Sequence, residues 1–451
     1  MNLSIKEVAR ALGTECDCED RINRISIDSR DVDKNTLFFA IKGEHYDAHD
    51  FVSGIQDKVA AVVISKEMNC SCPVIKVTDT KDAFLKLANY YRKSFKNLIV
   101  IGLTGSVGKT TTKEMTACVM AQKYKTLKTE GNFNNEIGMP KTIFRLDEST
   151  RCAVIEMGMS AFGEISALSK TAEPDAAIIT NIGVSHIENL GSRDGIFKAK
   201  MEMRDGLKAG APLIVNGDDD KLVTVDEDKF KVLTYGINNK SSYMKAYDIF
   251  QDGLDTKFIA ECEGIKEEVR IPTVGLHNVY DAIAALTVGM QFGVSLKDGA
   301  LGLRNYEPSG MRQKITEVND ITFIEDCYNA AVDSQKAGLN TLVSIASGRK
   351  IAVLGDMLEM GFFSEQGHRE VGEYAAEKNV DILITFGKES HFMADSARRA
   401  GLENVVEFEE RTELTDYLMN TIKKGDTIIF KASHGMHLEQ VIYDIYDKLK
   451  G

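Results

Sequence analysis

A chain of 451 residues, 43% hydrophobic and 27% charged, has the size and composition of a soluble globular protein with two or three cored domains. Its formal net charge of -13 argues against general binding to nucleic acid or anionic membrane, both polyanions, but leaves room for a local basic pocket. The opening MNLSIKEVARALG does not read as a signal peptide, and no apolar run approaches the roughly 18 residues of a membrane span.

These features predict a cytoplasmic protein. The eight cysteines are then expected as reduced thiols, and the two C-x-C pairs (Cys16, Cys18 and Cys70, Cys72) have a spacing too short for the usual zinc motifs.

In chain order, LFFAI (37–41) and AAVVIS (60–65) read as strands, and KDAFLKLANYYRKSF (81–95) as an amphipathic helix. From NLIVIGLTG (97–105) the texture changes to apolar strands alternating with helices: CAVIEMG (152–158), DAAIITNIG (175–183) and PLIVNGD (212–218). Residues 231–275 read as shorter strands of an antiparallel extension, before a helix at 276–292. The alternation resumes with strands at 321–326, 350–356, 381–387 and 426–433 and a last helix at 436–450. The prediction is a three-domain α/β protein divided as 1–97, 98–310 and 311–451, with ligand sites at the carboxyl ends of the strands.

The strongest chemical signal is GLTGSVGKTTTKE (102–114). An apolar strand enters Gly105-Ser106-Val107-Gly108-Lys109-Thr110-Thr111, and a helix follows. Glycines let backbone N–H groups turn onto phosphate oxygens, and the helix N-terminus adds its positive dipole end. Lys109 can reach terminal phosphates, and the Thr110 hydroxyl is placed for magnesium. The strict G-x-x-x-x-G-K-[ST] pattern is missed by one position, since residue 103 is Leu and the glycine is at 102. Such a loop says nothing of how the phosphate is used.

Glu156 ends one strand and His186 follows another, so a doubly wound sheet brings both to the edge that holds the phosphate loop. Together they suggest a nucleotide–metal site. Because imidazole is an unusual ligand for magnesium, manganese should substitute.

TGSVGKTTTKE, GNFNNEIGMP (131–140), VIEMGMS (154–160), TNIGVSHIENLGS (180–192), KAKMEM (198–203) and GLHNVYDAIAA (275–285) resemble the central domain of the Mur ligases. The stretch SIDSRDV…LFFAIKGEHYDAHDF (26–51) resembles the UDP-binding domain of those members that add the third residue or the final dipeptide. EDCYNAAVDSQKAGL (325–339), AVLGDMLEMG (352–361) and FKASHGMHLEQ (430–440) are similar to the members that add D-alanyl-D-alanine. The resemblance implies a small mixed α/β amino-terminal domain, a central P-loop ATPase-like domain with a mainly parallel sheet, and a Rossmann-like carboxyl-terminal domain. It implies a monomeric, ATP- and magnesium-dependent ligase joining D-alanyl-D-alanine to UDP-N-acetylmuramoyl-tripeptide through an acyl phosphate, in an open form that closes on ATP.

Position by position, the resemblance gives Gly105, Ser106, Gly108, Lys109, Thr110 and Thr111 to the ATP phosphates, and Thr110, Glu156, His186 and Lys200 to the metals. Lys200 matches the lysine that in this family can be carbamoylated. Asn278, Asp326 and Asn329 would contact the adenosine, and Arg312 the γ-phosphate. Ser29, Arg30, Gly43 and Asp47 would bind UDP, Asn134 and Asn135 the muramoyl-peptide, and Lys431 and His434 the incoming side. The lesser alternative is that Asn278 and Asp326 only cap or brace their own elements.

Ala331-Val332 and His434 depart from the family's frequent Asn-Pro and Arg, at positions expected near the dipeptide. No Asp-Asn-Pro-Arg stretch of a third-residue ligase occurs, and folate-type ligases lack the 26–51 domain. A P-loop binder of nucleotides or UDP-sugars without ligase activity is the alternative of a different class.

Overall fold

The computed structural model describes residues 1–225 and 229–450. The amino-terminal unit is built on a four-stranded parallel sheet of Arg24–Ser26, Thr36–Phe39, Ala61–Ile64 and Val74–Lys76. The helix Ile5–Leu12 covers it, started by a capping box in which Ser4 and Glu7 satisfy each other's backbone N–H groups. The predicted 81–95 helix runs Thr80–Lys93. Asp79 caps it by accepting from the N–H groups of Lys81 and Asp82, both at 2.8 Å.

That helix also fastens the unit to the next one. Buried Arg92 donates from Nε to the Ala172 carbonyl at 2.8 Å and from Nη2 to the Glu173 carbonyl at 2.9 Å. Both carbonyls end the helix Glu164–Ala172, where a cation suits the dipole.

The central unit is a nine-stranded sheet. Ile99–Thr104 lies between Ala176–Ile179 and Cys152–Glu156, parallel to both. All three strands are buried apolar runs, as expected when helices cover both faces. The helices Lys109–Met120 and Leu276–Gln291 share one face and bury the core around Met115, Val119, Ile283 and Leu286.

The antiparallel extension begins later than the sequence suggests. Lys231–Gly236 still runs parallel to its neighbours, and only Met244–Asp252, Asp255–Cys262 and Ile265–Ile271 alternate in direction. Tight turns at Gly253 (φ 64°) and Gly264 (φ 81°) reverse the chain between them.

The third unit has a six-stranded sheet, parallel except for Lys314–Val318 at one edge. Its last helix starts at Glu439, three residues inside the predicted span. A 3₁₀ turn at His434–Met436 and a left-handed His437 (φ 50°) interrupt the periodicity there. No helix among the described residues is long and apolar enough to cross a membrane.

Candidate active site

The strand register assembles the site. Leu103 pairs with Glu156 on one side of the central strand, and Thr104 with Ile179 on the other. The phosphate loop therefore leaves its strand between the Glu156 strand end and the loop that carries Thr180 and Asn181.

Asn181 binds that loop through its main and side chains. Its carbonyl accepts from Ser106 N at 3.1 Å, its Oδ1 accepts from Val107 N at 3.0 Å, and its Nδ2 donates to Val107 O at 3.0 Å. Thr180 Oγ1 donates to the same carbonyl at 2.6 Å, and Gly183 N donates to Ser106 Oγ at 2.9 Å. At Gly105 (φ 156°) an added Cβ would stand 1.8 Å from Thr180 Oγ1, so only glycine fits. These bonds hold the loop's shape without a ligand. The helix Lys109–Met120 begins at Gly108 (φ 83°) with no side-chain cap, which leaves its first N–H groups for an anion.

Lys109 folds over the loop, donating to Gly105 O at 2.8 Å and Ser106 O at 3.2 Å. Burial pushes its amine down from the ordinary value, Glu156 pulls it up, and Arg312 pushes it down again. Glu156 is 2% exposed. It accepts from Thr110 Oγ1 at 3.1 Å and Asn134 Nδ2 at 3.0 Å, and it lies 3.7 Å from the Lys113 ammonium.

A carboxylate beside a hydroxyl is a set of hard oxygen donors that suits magnesium. No cluster of three or more His, Cys, Asp or Glu side chains able to hold a metal stands among the described residues. Phosphate oxygens and water would complete the shell, which is how magnesium is commonly held.

Lys200 is 2% exposed and has no hydrogen-bond or ion-pair partner among the described residues. Burial, and then the nearby Lys109 charge, hold its amine well below the ordinary value. A shift in that direction favours the neutral amine, the form that can add carbon dioxide.

A cavity of about 750 Å³ joins these groups. Its wall includes Ser106, Gly108, Lys109, Thr110, Thr111, Asn134, Asn135, Glu156, His186 and Lys200. It also includes Asn278, Arg312, Asp326, Asn329 and Lys431, so residues of the central and third units share it.

The adenosine candidates have partners of their own. Asn278 Nδ2 donates to Val274 O at 2.7 Å and Gln313 Oε1 at 2.9 Å, so it braces its helix start and also ties it to the third unit. Buried Asp326 is paired with Lys431 at 2.8 Å, and Lys431 also donates to Asn329 O at 3.2 Å. Asn135 Oδ1 accepts from Gly138 N at 2.8 Å, at the start of the helix Gly138–Ile143.

The Arg312 guanidinium stands over Tyr328, its carbon 3.5 Å from the ring centroid, and His434 stacks on the same ring at 5.6 Å. Ala331 reaches the cavity, but Val332 is 3% exposed in the third unit's core. His434 is exposed and stands outside the cavity wall.

The amino-terminal set is not brought to this cavity. Ser29, Arg30, Gly43 and Asp47 are absent from its wall, which takes Glu44 and Lys81 from that unit instead. Arg30 makes a two-bond fork with Asp28 at 2.9 and 2.7 Å. Asp47 caps a 3₁₀ turn through His49 N and is shared by His49 Nδ1 and Lys66.

Sequence reading passed over several residues that the structure makes central: Asn181, Lys113, His277, Gln313 and Asp281. All but Gln313 lie inside the motifs already singled out. His277 Nε2 lies 3.0 Å from Gln313 Oε1, a contact between units that no local pattern could reveal. Asp281 accepts from Thr112 Oγ1 at 2.6 Å, and burial pushes its carboxyl up to about 7.

Comparison with known proteins agrees with this geometry. Models described as "Mur ligase family, catalytic domain", "Mur ligase middle domain" and "Mur ligase, glutamate ligase domain" match residues 21–93, 103–289 and 311–434. A UDP-N-acetylmuramoyl-tripeptide--D-alanyl-D-alanine ligase of Bacillus subtilis is 39% identical over 94% of this chain and 93% of its own. The Haemophilus influenzae protein of the same name is 34% identical over 95% of each.

A crystal structure of MurF from Acinetobacter baumannii superposes with a TM-score of 0.93 at 30% identity, covering 99% of both chains. MurF ligase from Thermotoga maritima, solved in complex with ADP, gives 0.86 at 26% identity over 95% of this chain and 98% of that one. The loop, the three sheets in their order along the chain and these full-length matches agree: the chain belongs to the Mur ligase family.

Proposed function

We propose that this protein is an ATP-dependent ligase that joins D-alanyl-D-alanine to UDP-N-acetylmuramoyl-tripeptide in peptidoglycan precursor synthesis, working in the cytoplasm. The observation that carries the reading is the cavity where Lys109, Glu156 and Lys200 of the central unit meet Arg312 of the third. That is the arrangement a phosphoryl transfer needs before a ligation. The near full-length likeness to ligases of that name supports the choice of dipeptide, and the ADP complex of the Thermotoga maritima relative supports ATP. In this reading the units divide as 1–97, 98–310 and 311–451.

A carboxylate is a poor acyl donor because oxide would have to leave. Transfer of the γ-phosphoryl group turns that oxygen into phosphate, a competent leaving group, and the dipeptide amine then displaces it. Phosphoryl transfer demands positioning and charge neutralisation more than covalent help.

Lys109 would exchange its two loop carbonyls for phosphate oxygens, and Arg312 would swing from Tyr328 toward the γ-phosphate. Thr110 and Glu156 would hold magnesium, with His186 and a carbamoylated Lys200 close by; the ion supplies charge neutralisation on the phosphates. Labelling with ¹³C-bicarbonate, read by NMR on the folded protein, tests the carbamate.

No strong general base is required. An α-amino group with a pKa of about 8 is roughly a tenth neutral at pH 7, and desolvation raises that fraction. Asn278, Asp326 and Asn329 would hold the adenosine, and closure of the third unit would exclude water. Small-angle scattering with and without nucleotide and precursor checks that closure.

The deciding experiment measures phosphate release from ATP with UDP-muramoyl-tripeptide, with and without D-alanyl-D-alanine. Release that needs the dipeptide, with a product heavier by the dipeptide less one water, is expected. Release only with a free amino acid on a shorter precursor would move the protein to a sister ligase. ATP binding without release with any acceptor would leave a nucleotide-binding regulator.

A further inference from the structure

His186, a residue of the cavity wall, meets Glu359 of a different unit. His186 follows the central strand Ala176–Ile179, and Glu359 follows the third unit's strand Lys350–Gly355. His186 Nδ1 lies 2.5 Å from Glu359 Oε2, an ion-pair distance, though not aligned as a good hydrogen bond. That nitrogen is buried and has no other partner among the described residues.

Both residues hold the left-handed backbone region that non-glycine residues rarely occupy, with φ 62° and 61°. Backbone of this kind is held by what packs around it. The enforcement is visible on both sides. Met360 is 2% exposed, and a Cβ at Gly361 (φ 49°) would stand 3.0 Å from the Glu188 side chain. The two loops are packed against each other, and the pair sits at their contact.

We propose that Glu359 is a positioning residue for His186. Its carboxylate stands against Nδ1 and favours the proton on that nitrogen, which leaves the Nε2 lone pair for a divalent cation held with the nucleotide. Because Glu359 belongs to the third unit, the ring gains its orienting carboxylate only when that unit is docked. Docking and cation affinity are then linked, each favouring the other by the same factor. The inference rests on the reading of His186 as a cation-facing residue. A carboxylate behind a ligating histidine is a general device for holding a metal site in shape.

The test is manganese binding to the full-length protein with ADP present, read from the free Mn²⁺ signal by electron paramagnetic resonance. Glu359→Ala should weaken affinity about tenfold, the low end for loss of such a partner. Glu359→Gln retains an acceptor for Nδ1–H and should stay within about threefold of wild type. His186→Ala should lose at least as much as Glu359→Ala, and the double variant no more than His186→Ala alone, because the glutamate acts through the ring.

The Glu359 side chain is 56% exposed, so its variants should melt with the wild type, and melting curves check this. Wild-type affinity in Glu359→Ala beside a weakened His186→Ala would overturn this inference alone, as would losses that multiply in the double variant. Wild-type affinity in His186→Ala would remove the cation-facing reading of His186, and this inference with it.

Discussion

Lys109 and Lys200 line one cavity with amines that the protein answers only in part: two loop carbonyls for Lys109, and no partner among the described residues for Lys200. In the amino-terminal unit, Arg30 is forked to Asp28, and Asp47 is shared by His49 and Lys66. The first group is held in readiness by burial, and the second is satisfied locally. A charged residue in a family motif is therefore informative in proportion to what the fold leaves it to do. Four variants test this contrast.

The largest effect is expected at Lys109. Lys109→Met keeps the stem and removes the charge that would meet the terminal phosphates, so dipeptide-dependent phosphate release should fall about 10³-fold. Thermal stability should change little, since the ammonium bonds only carbonyls of its own loop. A loss below tenfold would mean that the loop's amides and Arg312 already suffice.

Next comes Lys113, one helical turn on and 1% exposed. It lies between Glu114 at 3.1 Å and Glu156 at 3.7 Å, and Lys128 pairs with Glu114 from the far side. Lys113→Met would leave Glu156 buried without its cation, and breaking a buried pair in this way costs about 3–5 kcal/mol. Urea unfolding measures it. A change under about 1 kcal/mol would show that Thr110 and Asn134 alone keep Glu156 satisfied.

Much of the fold was legible in the sequence, because buried parallel strands are continuous apolar runs. Cys152–Glu156, Ala176–Ile179 and Pro212–Asn216 fall inside the segments read from hydropathy. The short edge strands Thr126–Lys128 and Val405–Phe408 were not read, since half-covered edges carry polar residues and no run forms. The phosphate loop was legible because its chemistry is local: glycines, a lysine and a helix start within a few residues.

Contacts between units were not legible. His277 with Gln313 and His186 with Glu359 depend on how separate domains dock, and no periodicity encodes that. Val332 was placed near the dipeptide by motif position, but the start of the helix Val332–Ile345 turns it into the core and leaves Ala331 toward the cavity.

A smaller effect, and one of pH, is expected at Asp281. Its carboxyl is raised from 3.8 to about 7 by burial, so the folded state keeps a proton that the unfolded chain has already released. Between those values the folded state binds more protons, and stability falls as pH rises through the window, levelling off above about 7. Asp281→Asn retains an acceptor for Thr112 Oγ1 and removes the titration. It should flatten that slope and be the more stable protein at pH 8. Parallel urea curves from pH 4 to pH 8 would contradict the account, and would point to an Asp281 that stays ionised beside the loop.

The smallest effect is expected at Arg30, and it bears most directly on the contrast between the two regions. Its side chain is 87% exposed, and its fork partner is an aspartate two residues away, held below the usual carboxylate range first by that arginine. A guanidinium in an exposed local pair has little to lose by changing partners, and its planar fork suits a diphosphate as well as a carboxylate. If UDP is bound here, Arg30→Ala should raise the precursor KM by about three- to tenfold, the scale of one charge-assisted contact near solvent, with kcat and melting temperature unchanged. An unchanged KM would make the Asp28–Arg30 pair a fixture of its own loop. It would shift attention to Glu44 and Lys81, the amino-terminal residues that do reach the cavity, where Lys81 already pairs across the boundary with Glu136.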